Sequence, residues 1–464
     1  MLKTMNAPAS AEQRSPTEAP KNEHSWRQYV LIVLSGFMLN FTGCGVVFAY
    51  GVYQAEYEKM AVSKGTAFTG ASSAEITLIG SLSSAMMKLG APFVVAWCKC
   101  FGPRIVVCVG GLIFGVANIL ASFGTALWHF QLAQGLLLGI GSCLSYMPSM
   151  IVPPTWFSKR RGLALGIISA GTGIGGLVFA PVIQACMDAM GLRDTLRLIG
   201  CLSTLLICAS GAVLIWEPAM EKRLLEEVAA KPSLVSRLFQ FPLPPWSLVR
   251  QRKFIAQVLN AAFQSAAYYT PIYYISSYGQ TLGYSESDGA NWTSLSNACN
   301  AIGKVAVGYL ADYIGRLNSF FLVTLLSAVG AVALWIPSTL LGSTLHDVAA
   351  AKGCFIVFTI FYGLFASAYI GLFSPALVEL FSLQEMPRIT GIMYMVQGAA
   401  GLVGTPVAGV MVRTYNGETT SRSYLDMAAF VSALMVASTL TVAWARVEQG
   451  FDRISGRLSW TWKQ

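Results

Sequence analysis

Two lysines lie deep within apolar stretches, where an unpaired cation is costly and therefore marks a candidate binding site. Lys88 is 12 residues from both Ile76 and Cys100, about 18 Å of helix on either side, too far for its ammonium group to reach water easily. Lys304 lies within the stretch from Trp292 to Ala311, and neither stretch contains an acidic residue. Each lysine could attract an anionic substrate group. The alternative for each is hydration near a helix end or a hydrogen bond to free backbone carbonyls.

Each lysine ends a stripe of polar residues at helical spacing. The stripes are Thr77, Ser81, Ser84 and Lys88 in one stretch and Thr293, Asn297, Asn300 and Lys304 in the other. Steps of four, three and four place each set on one face of a helix. We expect both stripes to face one cavity, with Lys304 attracting the anion and Asn297 and Asn300 donating hydrogen bonds.

A tyrosine-rich stretch supplies further candidates. Tyr269 and Tyr273 are four residues apart and share a helix face, with Pro271 between them. Proline frees a backbone carbonyl and permits bending, which would suit an outer gate. The tyrosines could line a cavity for an organic acid with an unsaturated or aromatic body; an interfacial aromatic belt is the alternative, chiefly for Tyr278. Gln397 is another polar candidate, with simple bonding between helices as its alternative.

These residues belong to a chain whose composition is typical of a membrane protein. Of 464 residues, 55% are hydrophobic and 11% charged, with a mean hydropathy of +0.57. Soluble proteins carry about 25% charged residues, so an ordinary soluble enzyme is excluded. Twelve stretches are long enough to cross a bilayer: Tyr29–Tyr53, Ile76–Cys98, Ile105–Phe123, Trp128–Ile151, Leu163–Met187, Leu196–Trp216, Phe254–Tyr278, Trp292–Ala311, Asn318–Ile336, Gly353–Phe373, Thr390–Met411 and Leu425–Val447.

The positive charges indicate the topology. With both termini in the cytoplasm, inner segments hold 22 of the 31 Lys and Arg residues when Arg446, at the end of the twelfth stretch, is counted with them. Outer loops hold 7 when Arg197, at the start of the sixth stretch, is counted with them, and the remaining two are Lys88 and Lys304. This distribution follows the positive-inside rule and argues against a nucleic-acid-binding surface. We therefore expect a multi-pass protein of the plasma membrane. Its segments are a cytoplasmic tail 1–27, a six-helix half 28–216, a cytoplasmic linker 217–253, a second six-helix half 254–447 and a cytoplasmic tail 448–464.

An internal repeat supports the two halves. A shift of 225 residues superposes eight of seventeen positions in the fifth and eleventh stretches, among them Gly173 on Gly398 and Pro181 on Pro406. Glycines at such spacing allow close helix packing. Parallel six-helix repeats around a midplane cavity are the design of one large class of secondary transporters.

Residues 308–316 read Gly-Tyr-Leu-Ala-Asp-Tyr-Ile-Gly-Arg. This segment resembles the signature loop of the major facilitator superfamily, in which a glycine precedes an aspartate that is followed by two residues, glycine and arginine. The resemblance implies an all-α membrane fold with twelve transmembrane helices in two six-helix halves. It also implies that Asp312 and Arg316 help to latch the cytoplasmic gate; the alternative is a turn with an ion pair at a helix end.

Residues 156–171 read Trp-Phe-Ser-Lys-Arg-Arg-Gly-Leu-Ala-Leu-Gly-Ile-Ile-Ser-Ala-Gly and resemble the fifth-helix signature of the monocarboxylate transporter family. Gly51-Val52-Tyr53-Gln54 also resembles the first helix of its fungal members. The resemblance implies transport of carboxylates or related small organic molecules, often with a proton, and fungal relatives include exporters of secondary metabolites. Animal members carry an aspartate and an arginine where this chain has Asn300 and Lys304, so the cation is retained and its acidic partner is not.

The sequence therefore predicts a secondary active or facilitative transporter of a small organic anion, a monocarboxylate-like compound or an acidic secondary metabolite, that works by alternating access. The alternatives are an efflux pump for a neutral secondary metabolite and, less favoured, a non-transporting sensor on the same fold. We expect no enzyme activity, cofactor or metal; the partners are the lipid bilayer, a small organic substrate and, as a candidate, a proton. No acidic residue falls within a predicted helix core, so no carboxylate proton relay is predicted.

Overall fold

The computed structural model describes residues 25–157, 161–229, 246–344, 347–381, 386–413 and 419–452. Most of both predicted tails, residues 158–160 of the basic run and residues 230–245 of the predicted linker lie outside the described residues. The described chain is almost entirely helical and contains no strand.

Twelve long helical units, α1 to α12, follow one another along the described chain, near the twelve predicted stretches. The first six are α1 (Trp26–Val62), α2 (Ser73–Leu89 with Ala91–Phe101), α3 (Pro103–Ser122), α4 (Leu127–Trp156), and α5 and α6, which divide Arg161–Gly211 at Gly191. The last six are α7 (Arg252–Thr281), α8 (Glu286–Ile314), α9 (Arg316–Gly342), α10 (Val348–Ala366 with Ala368–Leu380), α11 (Met386–Val410) and α12 (Leu425–Asp452). Short helices at Pro218–Ala229 and Trp246–Val249 lie between α6 and α7.

Seven helices are long and apolar enough to cross a membrane by length and composition alone, and the two parts of α2, bent by 50°, make an eighth if they form one span. One of the seven is the continuous 163–211 segment, in which Gly191 has φ +80. This left-handed conformation interrupts the helix and separates α5 from α6. The units outside this set are α7, α8 and α11, and these three carry most of the predicted polar site residues.

Glycines from the internal repeat lie at two close crossings between α1–α6 and α7–α12. A Cβ on Gly173 of α5 would lie 2.5 Å from the Asn297 carbonyl oxygen of α8, and one on Gly398 of α11 would lie 2.9 Å from the Ala85 carbonyl oxygen of α2. Only glycine permits backbones to approach this closely. The two repeated helices thus make corresponding contacts with the opposite group of helices.

The contact between α5 and α8 loosens towards one end. Outer and inner are used here in the sense of the predicted topology, so that α1 ends at the outer side with Val62 and α2 begins there with Ser73. Two turns inward from Gly173, a Cβ on Gly166 would find its nearest neighbour, the Lys304 carbonyl oxygen, only at 4.0 Å. A Cβ on Gly308, near the inner end of α8, would meet nothing within 4 Å. The α5/α8 crossing is therefore tight in its outer part and open in its inner part.

The outer end is closed by hydrogen bonds between α1–α2 and α7. These join Glu58 to Ser277, Ser73 and Thr77 to Tyr274, and Ser84 and the Gly80 carbonyl to Tyr273. We call the side chains of Glu58, Ser73, Thr77, Tyr273, Tyr274 and Ser277 the outer gate. The structure thus has the outer gate shut and the inner ends of α5 and α8 apart.

Candidate functional site

Lys88 lies in the interior of the helix bundle with few partners. Its side chain is 5% exposed. Its ammonium group donates one hydrogen bond, to Ser265 Oγ of α7 at 3.4 Å, and lies 5.2 Å from the ring centroid of Tyr269. No described carboxylate lies within ion-pairing distance of it. An ammonium group has three donors, so Lys88 keeps donor capacity for a further acceptor.

Lys304 is buried in the same region, but its side chain extends from the second group of helices to the first. Its ammonium group donates to the Ser169 carbonyl at 3.4 Å and to Thr172 Oγ1, both on α5. It lies 5.5 Å from the ring centroid of Phe48. It too forms no ion pair with a described residue. Lys88 on α2 therefore contacts α7, whereas Lys304 on α8 contacts α5.

The two lysines converge on one segment of α1. Cys44, buried at the end of a π-helical turn, Asn40–Cys44, contacts Met87, the neighbour of Lys88 in α2, with 3.9 Å between Sγ and Sδ. One turn further, the Phe48 ring lies 6.1 Å from the Tyr269 ring, centroid to centroid. Single π-helical turns often occur at functional sites. We call Lys88, Lys304, Cys44, Phe48 and Tyr269 the two-lysine site.

Aromatic side chains form one wall beside the two-lysine site. The Tyr268 ring lies 6.3 Å from Phe48 and 5.0 Å from Tyr269, and Tyr362 of α10 stacks on Tyr268 at 6.5 Å. Tyr362 also donates its hydroxyl hydrogen to the Tyr268 carbonyl at 2.8 Å. The wall offers aromatic faces next to two cations, a combination suited to an anion with a planar apolar body.

The two asparagines of the predicted α8 stripe have different surroundings. Asn297 donates to the Thr293 carbonyl at 3.0 Å, and its side chain packs against Gly176. Asn300 is buried with its Oδ1 atom lacking any hydrogen-bond partner among the described residues. Gln397 is 3% exposed and makes no hydrogen bond to a described residue. Buried polar atoms are normally paired with protein, water or ligand, so Asn300 and Gln397 retain the properties of candidate ligands, while Asn297 holds α5 and α8 together.

Gln264 on α7 is a buried amide that was outside the predicted set of ligands. Both its Nε2 and its Oε1 lack a partner among the described residues, and its side chain is fully buried. It precedes Ser265, the partner of Lys88, in the sequence. Its position as a polar residue within a tyrosine-rich helix was the feature of the sequence that could have identified it as a candidate ligand.

Tyr269 and Tyr273 have different contacts. Tyr269 lies over Lys88, whereas the Tyr273 hydroxyl bonds to Ser84 Oγ at 2.5 Å and donates to the Gly80 carbonyl at 3.1 Å. Tyr273 is therefore engaged in the outer gate in this conformation. Pro271 lies within the continuous helix α7, between the Lys88 contact and the gate contacts, where a missing backbone hydrogen bond eases bending.

The predicted latch residues are exposed and unpaired with each other. Neither Asp312 nor Arg316 forms an ion pair with any residue that the structure describes. The ion pair of the alternative interpretation is therefore absent from the described residues in this conformation, and the role of Asp312 and Arg316 in a latch stays a prediction. Gly315 between the two has φ +94, and Glu379 of α10 accepts from the Leu317 backbone N–H at 3.2 Å.

Glu58 is the acidic residue that sequence reasoning missed. The first stretch was predicted to end at Tyr53, but α1 continues to Val62, so the residues that follow Tyr53 are helical. Gln54 and Glu58 are four apart on one face, and both face the α2–α7 junction. The spacing of four residues could have indicated a helix that continues beyond Tyr53. The hydropathy criterion excluded this segment because it is polar.

Comparison with known proteins places this geometry in a family context. The family model of the Major Facilitator Superfamily matches residues 30–351 and 280–453. The chain is 26% identical to the agnestins efflux protein AgnL12 of Paecilomyces divaricatus, over 95% of this chain and 92% of that protein. It is 28% identical to monocarboxylate transporter 13 of Rattus norvegicus, over 90% and 89% of the two chains. It is 25% identical to the probable transporter MCH2 of Saccharomyces cerevisiae, over 89% and 80%. The predicted resemblance to monocarboxylate transporters and their fungal relatives is confirmed.

Proposed function

This chain belongs to the major facilitator superfamily and is a membrane transporter, and we propose that it carries a small organic anion by alternating access. The transport is secondary active or facilitative. The prediction of a transporter and not an enzyme is confirmed, because the similar proteins are named as transporters.

The observation that carries the proposal is the pair of buried lysines without acidic partners. A cation in a low-dielectric interior is costly unless it is compensated. Lys88 and Lys304 have only neutral partners and aromatic rings within the described chain. An anionic substrate supplies the missing charge, and its binding free energy includes the removal of that cost.

The aromatic wall of Tyr268 and Tyr362 supports a substrate with an unsaturated or aromatic body. Such a body would lie against these rings while its carboxylate meets the lysines. Export of an acidic secondary metabolite fits the same site, and one similar protein is named as an efflux protein. Uptake of a monocarboxylate fits it equally in chemical terms.

Alternating access requires two parts of the protein to move relative to each other. We propose that residues 28–216 and 254–447 form two halves that rock about the two-lysine site, with both termini in the cytoplasm of a plasma-membrane protein. In that orientation, the closed outer gate and the open inner part of the α5/α8 crossing support an inward-facing conformation. The tight α5/α8 and α2/α11 crossings at Gly173 and Gly398 support these boundaries.

A binding comparison between acids and their neutral counterparts tests the proposal. Purified protein is titrated with cinnamate, benzoate and succinate, and with cinnamyl alcohol and benzamide as neutral probes, while thermal unfolding is followed, because a ligand that binds only the folded state stabilises it. We expect one or more of the acids to raise Tm and the neutral probes to leave it unchanged. Radiolabelled uptake of the acid that binds, in proteoliposomes, then measures transport.

Lysine variants identify the site of binding. Lys88→Ala and Lys304→Ala should each weaken binding of the acid about 10- to 100-fold, as expected for loss of a hydrogen bond to a charged group. Lys352→Ala is the matched control, because Lys352 also lies over a tyrosine, with 4.6 Å between its Nζ atom and the Tyr284 ring centroid, but lies near the start of α10. Equal binding of neutral and acidic probes, with unchanged affinity in both site variants, would favour the neutral-metabolite pump and reject the anion site.

A further inference from the structure

Glu58 lies at the outer end of α1 and connects three helices. Its Oε1 atom accepts hydrogen bonds from Gln54 Nε2 at 3.1 Å and from Ser73 Oγ of α2 at 2.9 Å. Its Oε2 atom accepts from Ser277 Oγ of α7 at 2.6 Å. The carboxylate therefore joins the first group of helices to the second, and the shortest of its three contacts is the one between the groups.

No described cation balances this carboxylate. All its hydrogen-bond partners are neutral, and no Lys or Arg that the structure describes lies within 4.0 Å of it. The titratable groups on the surrounding elements are phenols, acids engaged elsewhere and one lysine that pairs with another acid. They are Tyr50 and the Glu56–Lys59 ion pair on α1, Glu75 at the α2 cap, Tyr274 on α7, Asp288 at the α8 cap and Tyr424 before α12. The charge of Glu58 is therefore held by hydrogen bonds alone.

Hydrogen bonds to a charged oxygen are about twice as strong as those between neutral groups. Ionised Glu58 thus strengthens the contact with Ser277 and, through Ser73, the contacts with Tyr274. Addition of a proton to Oε2 converts that oxygen into a hydroxyl. Ser277 then loses a charged acceptor, and the contact between α1 and α7 weakens.

We propose that Glu58 is a proton-binding site of the outer gate, which closes the gate when ionised and releases it when it takes a proton from the outer aqueous side. The proposal rests on alternating access as the mode of transport. It places the coupling proton on a carboxylate at the gate itself and not on either lysine. Because protonation favours the state with weaker gate contacts, lower pH shifts the protein towards an open outer gate.

Hydrogen–deuterium exchange of the purified full chain tests this without any substrate. The readout is the backbone protection of residues 50–62 and 270–281 at about pH 5 and about pH 7.5, corrected for the intrinsic pH dependence of exchange, across the range in which carboxyl groups titrate. For the wild type we expect exchange about tenfold faster at the lower pH, the difference between a charge-assisted and a neutral hydrogen bond. Glu58→Gln should show the fast exchange at both values.

Matched variants make the result decisive. Glu56→Gln, on the same helix but paired with Lys59, should keep the wild-type pH dependence. Ser277→Ala retains the carboxylate and removes its donor on α7, so it should raise exchange at the higher pH if Glu58→Gln fails to fold. A wild type without pH-dependent exchange, or a Glu58→Gln variant that keeps it, would overturn the proposal. Because no substrate is present, either result leaves the anion site to be judged by the binding experiment.

Discussion

Replacement of Lys88 by methionine should make the protein more stable and less active. Methionine has a similar length and fills the same space without a charge. Replacement of a residue that holds the fold together lowers both the stability and the activity of the protein. Replacement of a charged residue that serves only to bind substrate lowers activity, but it raises stability because the buried charge is removed.

The size of the gain follows from the contacts of Lys88. A lysine at the centre of a membrane helix costs about 2.5 to 3.5 kcal/mol. The cation–π contact with Tyr269, at 5.2 Å, returns about 0.5 to 2 kcal/mol. The hydrogen bond to Ser265 Oγ is long, at 3.4 Å, and returns under about 1 kcal/mol. The variant should therefore be more stable by about 1 kcal/mol, or about 1 to 2 °C in Tm for a chain of this length.

Thermal unfolding in detergent and uptake in proteoliposomes give the two readouts. Lys304→Met should show a smaller gain or none, because its ammonium group has two acceptors on α5, Ser169 and Thr172. Lys352→Met, near the start of α10, should change stability by less than about 0.5 kcal/mol and leave uptake intact. A lower Tm together with normal uptake in Lys88→Met would refute the reasoning, since it would assign Lys88 a structural role.

Two further predictions concern the moving parts. Gly173→Ala should lower stability by about 1 to 3 kcal/mol and abolish uptake, because its Cβ would lie 2.5 Å from a backbone oxygen of α8 in a packed crossing. Gly166→Ala, whose Cβ would have no neighbour nearer than 4.0 Å, should leave both stability and uptake unchanged. Equal effects of the two substitutions would contradict the packing argument. Tyr273→Phe removes the hydroxyl bonded to Ser84 and to the Gly80 carbonyl, so hydrogen exchange at residues 270–281 should rise several-fold, about the effect of 1 kcal/mol, whereas unchanged exchange would remove Tyr273 from the outer gate.

Much of the fold was predictable because a bilayer imposes strong requirements on sequence. A helix that contacts lipid must be apolar over about 20 residues, so hydropathy located all twelve helical units within a few residues of most boundaries. The helices α7, α8 and α11 were found despite their polar residues, which face other helices. The repeated glycines predicted close helix packing, and Gly173 and Gly398 lie at two close crossings.

The same criterion failed where a helix continues into polar surroundings. Beyond Tyr53 the sequence is polar, but α1 extends to Val62 because α2 and α7 supply hydrogen-bonding partners for Gln54 and Glu58. Hydropathy does not register such partners. The separation of Tyr269 from Tyr273 was likewise unpredictable, since residues on one face of a helix can lie at different depths and meet different neighbours.

The positions of the two lysines provide a physical basis for coupling substrate binding to motion. Lys88 belongs to α2 and contacts Ser265 of α7, while Lys304 belongs to α8 and contacts Thr172 of α5, so each contributes a contact between the two groups of helices. An anion that binds either ammonium group competes with the contact that this group makes. A ligand shifts a conformational equilibrium only through a difference in its affinity for the two states, and this competition supplies such a difference. Occupation of the two-lysine site therefore changes the free energy of the interface about which the proposed halves rock.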